Sequence, residues 1–197
     1  MFWNVSFPSI PLLQPVDAIL DVAIIGGGIT GLSIAYYLKD SNLKIALFDK
    51  GKIGQGVTSK TTAKITYLQG DIYQKLGGRA KEYFLSQKMA ISELLRIIEK
   101  EHISCDLEQV RSILFTLEDN NVLKLNRERK LLDSFHCHTF DVVDAKIKSG
   151  FGISDSYVFH PLKYLSGLCS VLLSKVLFLK MLFMSITFFS FIITTPL

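Results

Sequence analysis

Three cysteines in 197 residues, with no CxxC pair among them, leave the chain without a disulfide framework. Cys105, Cys137 and Cys169 are widely spaced, which fits thiols in or near a core in a reducing compartment. His136-Cys137-His138 offers two imidazoles and a thiol. Neighbours that close point different ways and no second ligand cluster exists, so the triplet reads as structural and no metal is expected. The net charge of +4 comes from scattered Lys and Arg, with no basic stripe interleaved with aromatics, so a nucleic-acid surface is excluded. No basic residue precedes Lys39, and Pro8, Pro11 and Pro15 break the early apolar run. A secretory signal needs a basic start and an unbroken apolar stretch, so a cytoplasmic location is expected.

What is present is a chain for a packed core: 49% hydrophobic and only 20% charged residues exclude a disordered protein. Residues 1–20 carry Trp3, Phe7 and three prolines with almost no charge, and read as an extended lead-in draped over a domain. Asp21 to Ile25 is a short apolar run of the kind that forms a buried parallel strand. Glycines follow at once. Ile29, Leu32, Ala35, Tyr36 and Leu38 then recur as on a helix packed against a sheet, and Lys44 to Asp49 is a second strand ending in an acid. Strand, helix and strand within this length make one βαβ unit. Farther on, residues 72–103 are predicted helical with a break at Gly77-Gly78, Val110 to Leu117 a strand, and Asn120 to Phe135 a solvated amphipathic helix.

The chemistry sits in Gly26-Gly27-Gly28-Ile29-Thr30-Gly31, which fits GxGxxG through Gly26, Gly28 and Gly31. One glycine permits the tight turn, one lets the backbone approach a pyrophosphate, and one lets the helix pack on the sheet. The amides that open the helix then face the phosphates, where the helix dipole favours negative charge. A strand before, a helix after, and Asp49 at the end of the second strand supply the context that a lone glycine motif lacks. A carboxylate there accepts from both adenosine ribose hydroxyls and disfavours a 2′-phosphate. FAD and NAD share the ADP moiety, and spacing alone leaves both open. The following loop, Ile53 to Ser59, carries hydroxyls and amides that can donate to phosphate, or serves as a plain surface loop.

GGGITGLSIAYYL, LFDKGKIGQGVTSKTTAKIT and QGDIYQKL together resemble the start of the D-amino-acid-oxidase-type FAD-dependent oxidoreductases. The likeness is greatest to the branch in which some members add a C-terminal Rieske iron–sulfur domain, and Phe159 to Leu165 (FHPLKYL) is similar to a later segment of the same family. It covers about residues 1–175 and is strongest near 21–76. It implies an α/β, Rossmann-like FAD/NAD(P)-binding fold, incomplete here, with part of an α+β substrate domain. The implied cofactor is FAD, held by Gly26, Gly27, Gly28, Ile29, Gly31, Asp49, Lys50, Ser59 and Thr62. The implied reaction oxidises a small amine or amino acid at its C–N bond by hydride transfer to flavin. No catalytic residue is named: His160, before Pro161 at a helix start, reads as structural rather than as a base.

The resemblance divides the chain into a lead-in (1–20), an ADP-binding βαβ with its glycine-rich loop (21–76), a region interleaving the FAD and substrate domains (77–175) and a hydrophobic tail (176–197). No acid follows Asp155, and the tail holds one Lys, one Pro and otherwise apolar, Ser and Thr residues, without strand alternation. The family pattern stops at Lys175, and the paired Cys and His of a Rieske site are absent. Two accounts follow. A frameshift or early stop makes this a truncated product, inactive as an isolated chain or completed by another chain; or Val176 to Leu197 anchors a flavoprotein subunit in a membrane, at a length that just spans a bilayer. Truncation is the preferred expectation, because an anchor also leaves the FAD domain unfinished.

Overall fold

The computed structural model describes Trp3, residues 5–9 and residues 19–180. Two compact units are present, one from residues 1–61 and 161–197 and the other from 62–160. Residues 62–76 of the segment drawn as 21–76 therefore lie in the second unit.

In the first unit β1 (Val22–Ile25) runs into a glycine turn and α1 (Ile29–Leu38), and the chain returns as β2 (Ile45–Asp49). The two strands are parallel, with Ile24 opposite Leu47. Gly31, Leu32, Ala35 and Tyr36 form the buried side of α1, the helical spacing expected of a face laid on a sheet. Much later α5 (Pro161–Leu172) packs against α1. Pro161 opens it, where a missing N–H costs nothing.

The chain then forms β7 (Leu177–Lys180), parallel to β2 with Phe178 opposite Leu47. This corrects the reading that residues 176–197 show no mark of a strand. A parallel strand buried on both faces is a continuous apolar run, so absence of alternation does not argue against it. The order β1-β2-β7 is one wing of a doubly wound sheet. Residues 181–197, which carry most of the tail, lie outside the described residues. Among those described, no helix is long and apolar enough to cross a membrane.

The second unit is an antiparallel sheet backed by helices. β6 (Ser149–Val158) is its central strand; β4 (Glu108–Thr116) lines one edge, with a bulge between Val110 and Ser112, and β3 (Lys64–Ile65) and β5 (Thr139–Asp141) share the other. Helices α2 (Ile72–Leu76), α3 (Ala80–Lys100) and α4 (Val122–Ser134) complete it. Their apolar sides meet Phe151 and Ile153 in a core built around Tyr67, Tyr73, Phe84 and Leu132. The break expected at Gly77-Gly78 is there, with Gly77 at φ +55° between α2 and α3.

Two details of this unit escaped the sequence pattern. Glu128 of α4 is fully buried, and its carboxylate accepts the amides of Tyr73 (2.8 Å) and Gln74 (3.1 Å) and the Gln74 side-chain amide (2.9 Å). A side chain of one helix thus caps the N-terminus of another, since Asp71 at that position makes no cap bond. His136 sits at φ +61° just past α4, with its amide bonded to the Asp133 carbonyl and that of Cys137 to the Leu132 carbonyl. That is a Schellman end, in which glycine is the usual left-handed residue.

The three cysteines are buried and form no disulfide. Burial pushes the Cys169 thiol up to about 12 and raises Cys137, so both stay protonated and unreactive at neutral pH.

Glu128→Ala is expected to lower stability by about 3 kcal/mol in urea unfolding, because it strands buried amides in a dry site. His136→Gly is expected to raise stability by about 0.5–1 kcal/mol, read as a shift of the urea midpoint at unchanged slope.

Candidate active-site cradle for a dinucleotide

The site is built where β1 ends. Gly26 has φ +106°, a conformation open to glycine alone, and its amide donates to the Phe48 carbonyl at 2.7 Å. The turn therefore stays hydrogen-bonded to β2 while the chain reverses into α1. Gly31 marks the close approach of helix to turn: a Cβ there would lie 1.9 Å from the Gly26 carbonyl oxygen. Gly28 is the extended N-cap of α1 and contributes no side chain.

Asp49, half-buried at the end of β2, ties the turn to the loop beyond. Its Oδ2 accepts the Gly27 amide and its Oδ1 the Gly51 amide, each at 2.7 Å. A carboxylate has about four lone-pair sites, so one per oxygen remains for a further donor. The loop then folds back. The Gly54 amide donates to the Gly27 carbonyl at 2.9 Å, and Thr58 Oγ1 accepts the Ile29 amide at 3.2 Å. Thr58 is thus a tertiary cap for the first turn of α1, which has no acidic residue of its own. Having accepted that bond, the hydroxyl keeps its proton for an acceptor placed at the helix end.

Of the residues expected to hold a cofactor, Gly26, Gly27, Gly28, Ile29, Gly31 and Asp49 come together around this turn. Lys50 is exposed beside it. Ser59 is buried, with its hydroxyl donating to the carbonyls of Gln55 (3.1 Å) and Gly56 (2.9 Å), so it braces the short helical turn Val57–Lys60. Thr62 is exposed and belongs to the second unit. Thr58 was absent from the sequence-derived set. A hydroxyl-rich stretch marked the neighbourhood, but which of two adjacent hydroxyls faces α1 depends on the phase of a one-turn helix. His160 donates its amide to the Cys105 carbonyl at 2.7 Å, directly before α5. Among the described residues no group of three or more His, Cys, Asp or Glu could hold a metal ion.

These features fit the ADP half of a dinucleotide. The cradle has a side-chain-free turn, a helix N-terminus with a hydroxyl at its mouth, and a carboxylate with two open lone-pair directions at the end of β2. Gly31→Ala is expected to cost more than about 3 kcal/mol or to prevent folding, since the new Cβ meets backbone that cannot yield. Gly56→Ala, where nothing lies within 4 Å, is the matched control and is expected to change the unfolding midpoint little.

Comparison with known proteins agrees with this geometry. The profile of the family described as FAD dependent oxidoreductase (DAO) matches residues 21–176. YhfW of Bacillus subtilis (strain 168), named as a Rieske 2Fe-2S iron-sulfur protein, is 30% identical over 185 residues, covering 88% of this chain and 36% of that protein. Glycine oxidase from Geobacillus kaustophilus superposes with a TM-score of 0.65 at 15% identity, over 82% of this chain and 46% of that one. L-amino acid deaminase from Proteus myxofaciens gives 0.68 at 13% identity, over 90% and 41%. At such identities the structures speak for the fold, a Rossmann-like FAD-binding fold of which this chain spans under half. The family match, extending over most of the sequence, establishes that the chain belongs to the FAD-dependent oxidoreductases of the DAO family.

Proposed function

We propose that the first unit holds the ADP half of FAD in an oxidoreductase acting on the C–N bond of an amino acid or related amine. The observation that carries the cofactor half of this reading is Asp49. Its carboxylate is fixed by two backbone amides at the carboxyl end of β2, the end of an open parallel sheet where ligands bind. The substrate half is supported by the neighbours that share the fold, which include a glycine oxidase and an L-amino acid deaminase.

In this reading the roles divide along the cradle. Asp49 accepts the two ribose hydroxyls. The Gly26–Gly28 backbone and the N-terminal amides of α1 receive the pyrophosphate, where the helix dipole favours negative charge. Thr58 donates its hydroxyl proton to a phosphate oxygen while holding the Ile29 amide, and Ser59 fixes the turn that presents Thr58. Lys50, exposed next to Asp49, adds positive charge at the mouth. FAD would supply the hydride acceptor, taking a C–H hydrogen with its electron pair and leaving the neutral amine as an iminium. The protein's own part is to bind and orient.

Binding of ADP tests the reading directly, because the chain spans less than half of the solved relatives and the cradle lies wholly in the first unit. Equilibrium dialysis is expected to show saturable ADP binding, weakened roughly tenfold or more in Asp49→Ala by loss of charged hydrogen bonds. Adenosine 2′,5′-bisphosphate is expected to bind less tightly than ADP, since its 2′-phosphate meets the carboxylate. Equal affinity of wild type and Asp49→Ala would refute the assignment.

A further inference from the structure

We infer that Trp3 and residues 5–9 form a strap that positions the loop from Lys50 to Thr61, and that Trp3 and Phe7 are positioning residues for dinucleotide binding. The inference rests on the assignment of the cradle to ADP.

The loop from Lys50 to Thr61 is held on its inner side by the Gly54 amide on the Gly27 carbonyl and by Thr58 on the Ile29 amide. A loop held on one side only can still swing away from the turn. The outer side is held by residues that come before β1 in the sequence. The Trp3 indole N–H donates to the Thr61 carbonyl at 3.0 Å, where the loop ends. The Phe7 ring covers Gly54: a Cβ on that glycine would lie 3.2 Å from Phe7 Cζ, 2.9 Å from Leu162 Cδ2 and 3.3 Å from Leu165 Cδ2. Gly54, at φ +75°, is therefore closed in by the strap and by α5. The strap is itself tied down, since Ser166 of α5 donates its hydroxyl to the Ser6 carbonyl at 3.2 Å.

The path to the ligand is short and made of single contacts. Phe7 presses on Gly54, Gly54 bonds the Gly27 carbonyl, and the amide of Gly27 bonds Asp49. At the other end Trp3 fixes Thr61, which closes the helical turn carrying Thr58. Both ends of the loop are thus registered against the cradle from outside it. Neither Trp3 nor Phe7 is a member of the cradle, so each acts through the loop.

Trp3 is the chain's only tryptophan, which gives the test its own reporter. Excited at the long-wavelength edge of its band, indole is read where adenine absorbs almost nothing and does not emit. Titrating the wild-type chain with ADP is expected to change Trp3 emission saturably, with the dissociation constant found by dialysis. Trp3→Phe keeps a ring and removes the N–H donor; it is expected to weaken ADP binding about threefold to tenfold, the weight of one or two hydrogen bonds, with an unchanged melting temperature of the free chain. Phe7→Ala is expected to weaken binding at least as much. Variants that bind ADP as tightly as wild type, or that lose affinity only as they lose melting temperature, would overturn the strap while leaving the cradle intact. Emission indifferent to bound ADP would overturn it too. Absence of ADP binding by the wild type would overturn the cradle assignment, and the strap with it.

Discussion

A carboxylate at the end of a strand is costly to hold still beside a site meant for phosphate, and this chain holds Asp49 with two backbone amides. The bonds from Gly27 and Gly51 are both at 2.7 Å, short for N–H donors, as expected of charge-assisted pairs. They join three pieces that are separate in sequence: the turn after β1, the end of β2 and the loop beyond. Each such bond is worth at most roughly 1.5–3 kcal/mol, and the pair fixes the register of a turn that Gly26 and Gly31 make sterically possible. Once Gly27 is placed, its carbonyl receives Gly54 and the loop can lie across the helix end. The cradle depends on that one clasp.

The burial of the strands says why β2 can bear this duty. Ile45, Ala46 and Leu47 are buried with β1 on one side and β7 on the other, whereas Ala23 and Ile25 of β1 are exposed. Among the described strands of the first unit β2 is the central one, and Asp49 stands at its end. The third strand that makes it central arrives from far along the chain. The strand that carries Asp49 therefore pairs with residues 177–180, in the stretch whose composition alone looked foreign to the fold.

That strand shows where sequence reasoning reached and where it stopped. β1, α1 and β2 were legible because a short apolar run, a helical stripe and a glycine triplet each leave a distinct local mark. Leu177–Lys180 left none: four residues of a parallel strand look like any four residues of an apolar tail. Pairing with Phe48 and Leu47 is what makes them a strand, and pairing is not local. The same holds for Thr58, chosen over Ser59 by the phase of one turn, and for Glu128, a charged residue on a helix read as solvated. Its partners, the amides opening α2, carry no side-chain signature. The left-handed backbone of His136 could not be read from its identity either.

The two charged features of the cradle would work against each other if they stood free. An anion at the end of β2 repels phosphate, while the first turn of α1 attracts it. The geometry separates the two effects. Asp49 spends one lone pair of each oxygen on amides, so part of its charge is met by protein dipoles before any ligand arrives. The α1 terminus lacks an acidic residue, so nothing in its first turn offsets the dipole, and Thr58 caps it with a neutral hydroxyl. An acidic cap in that place would bond the amide equally well and would leave a negative charge at the mouth of the phosphate site. A hydroxyl accepts from the amide on one side and still donates on the other. On the proposed assignment the same sorting would extend along the dinucleotide: a carboxylate where hydroxyls are to be met, and neutral donors with a helix dipole where negative charge is to be met.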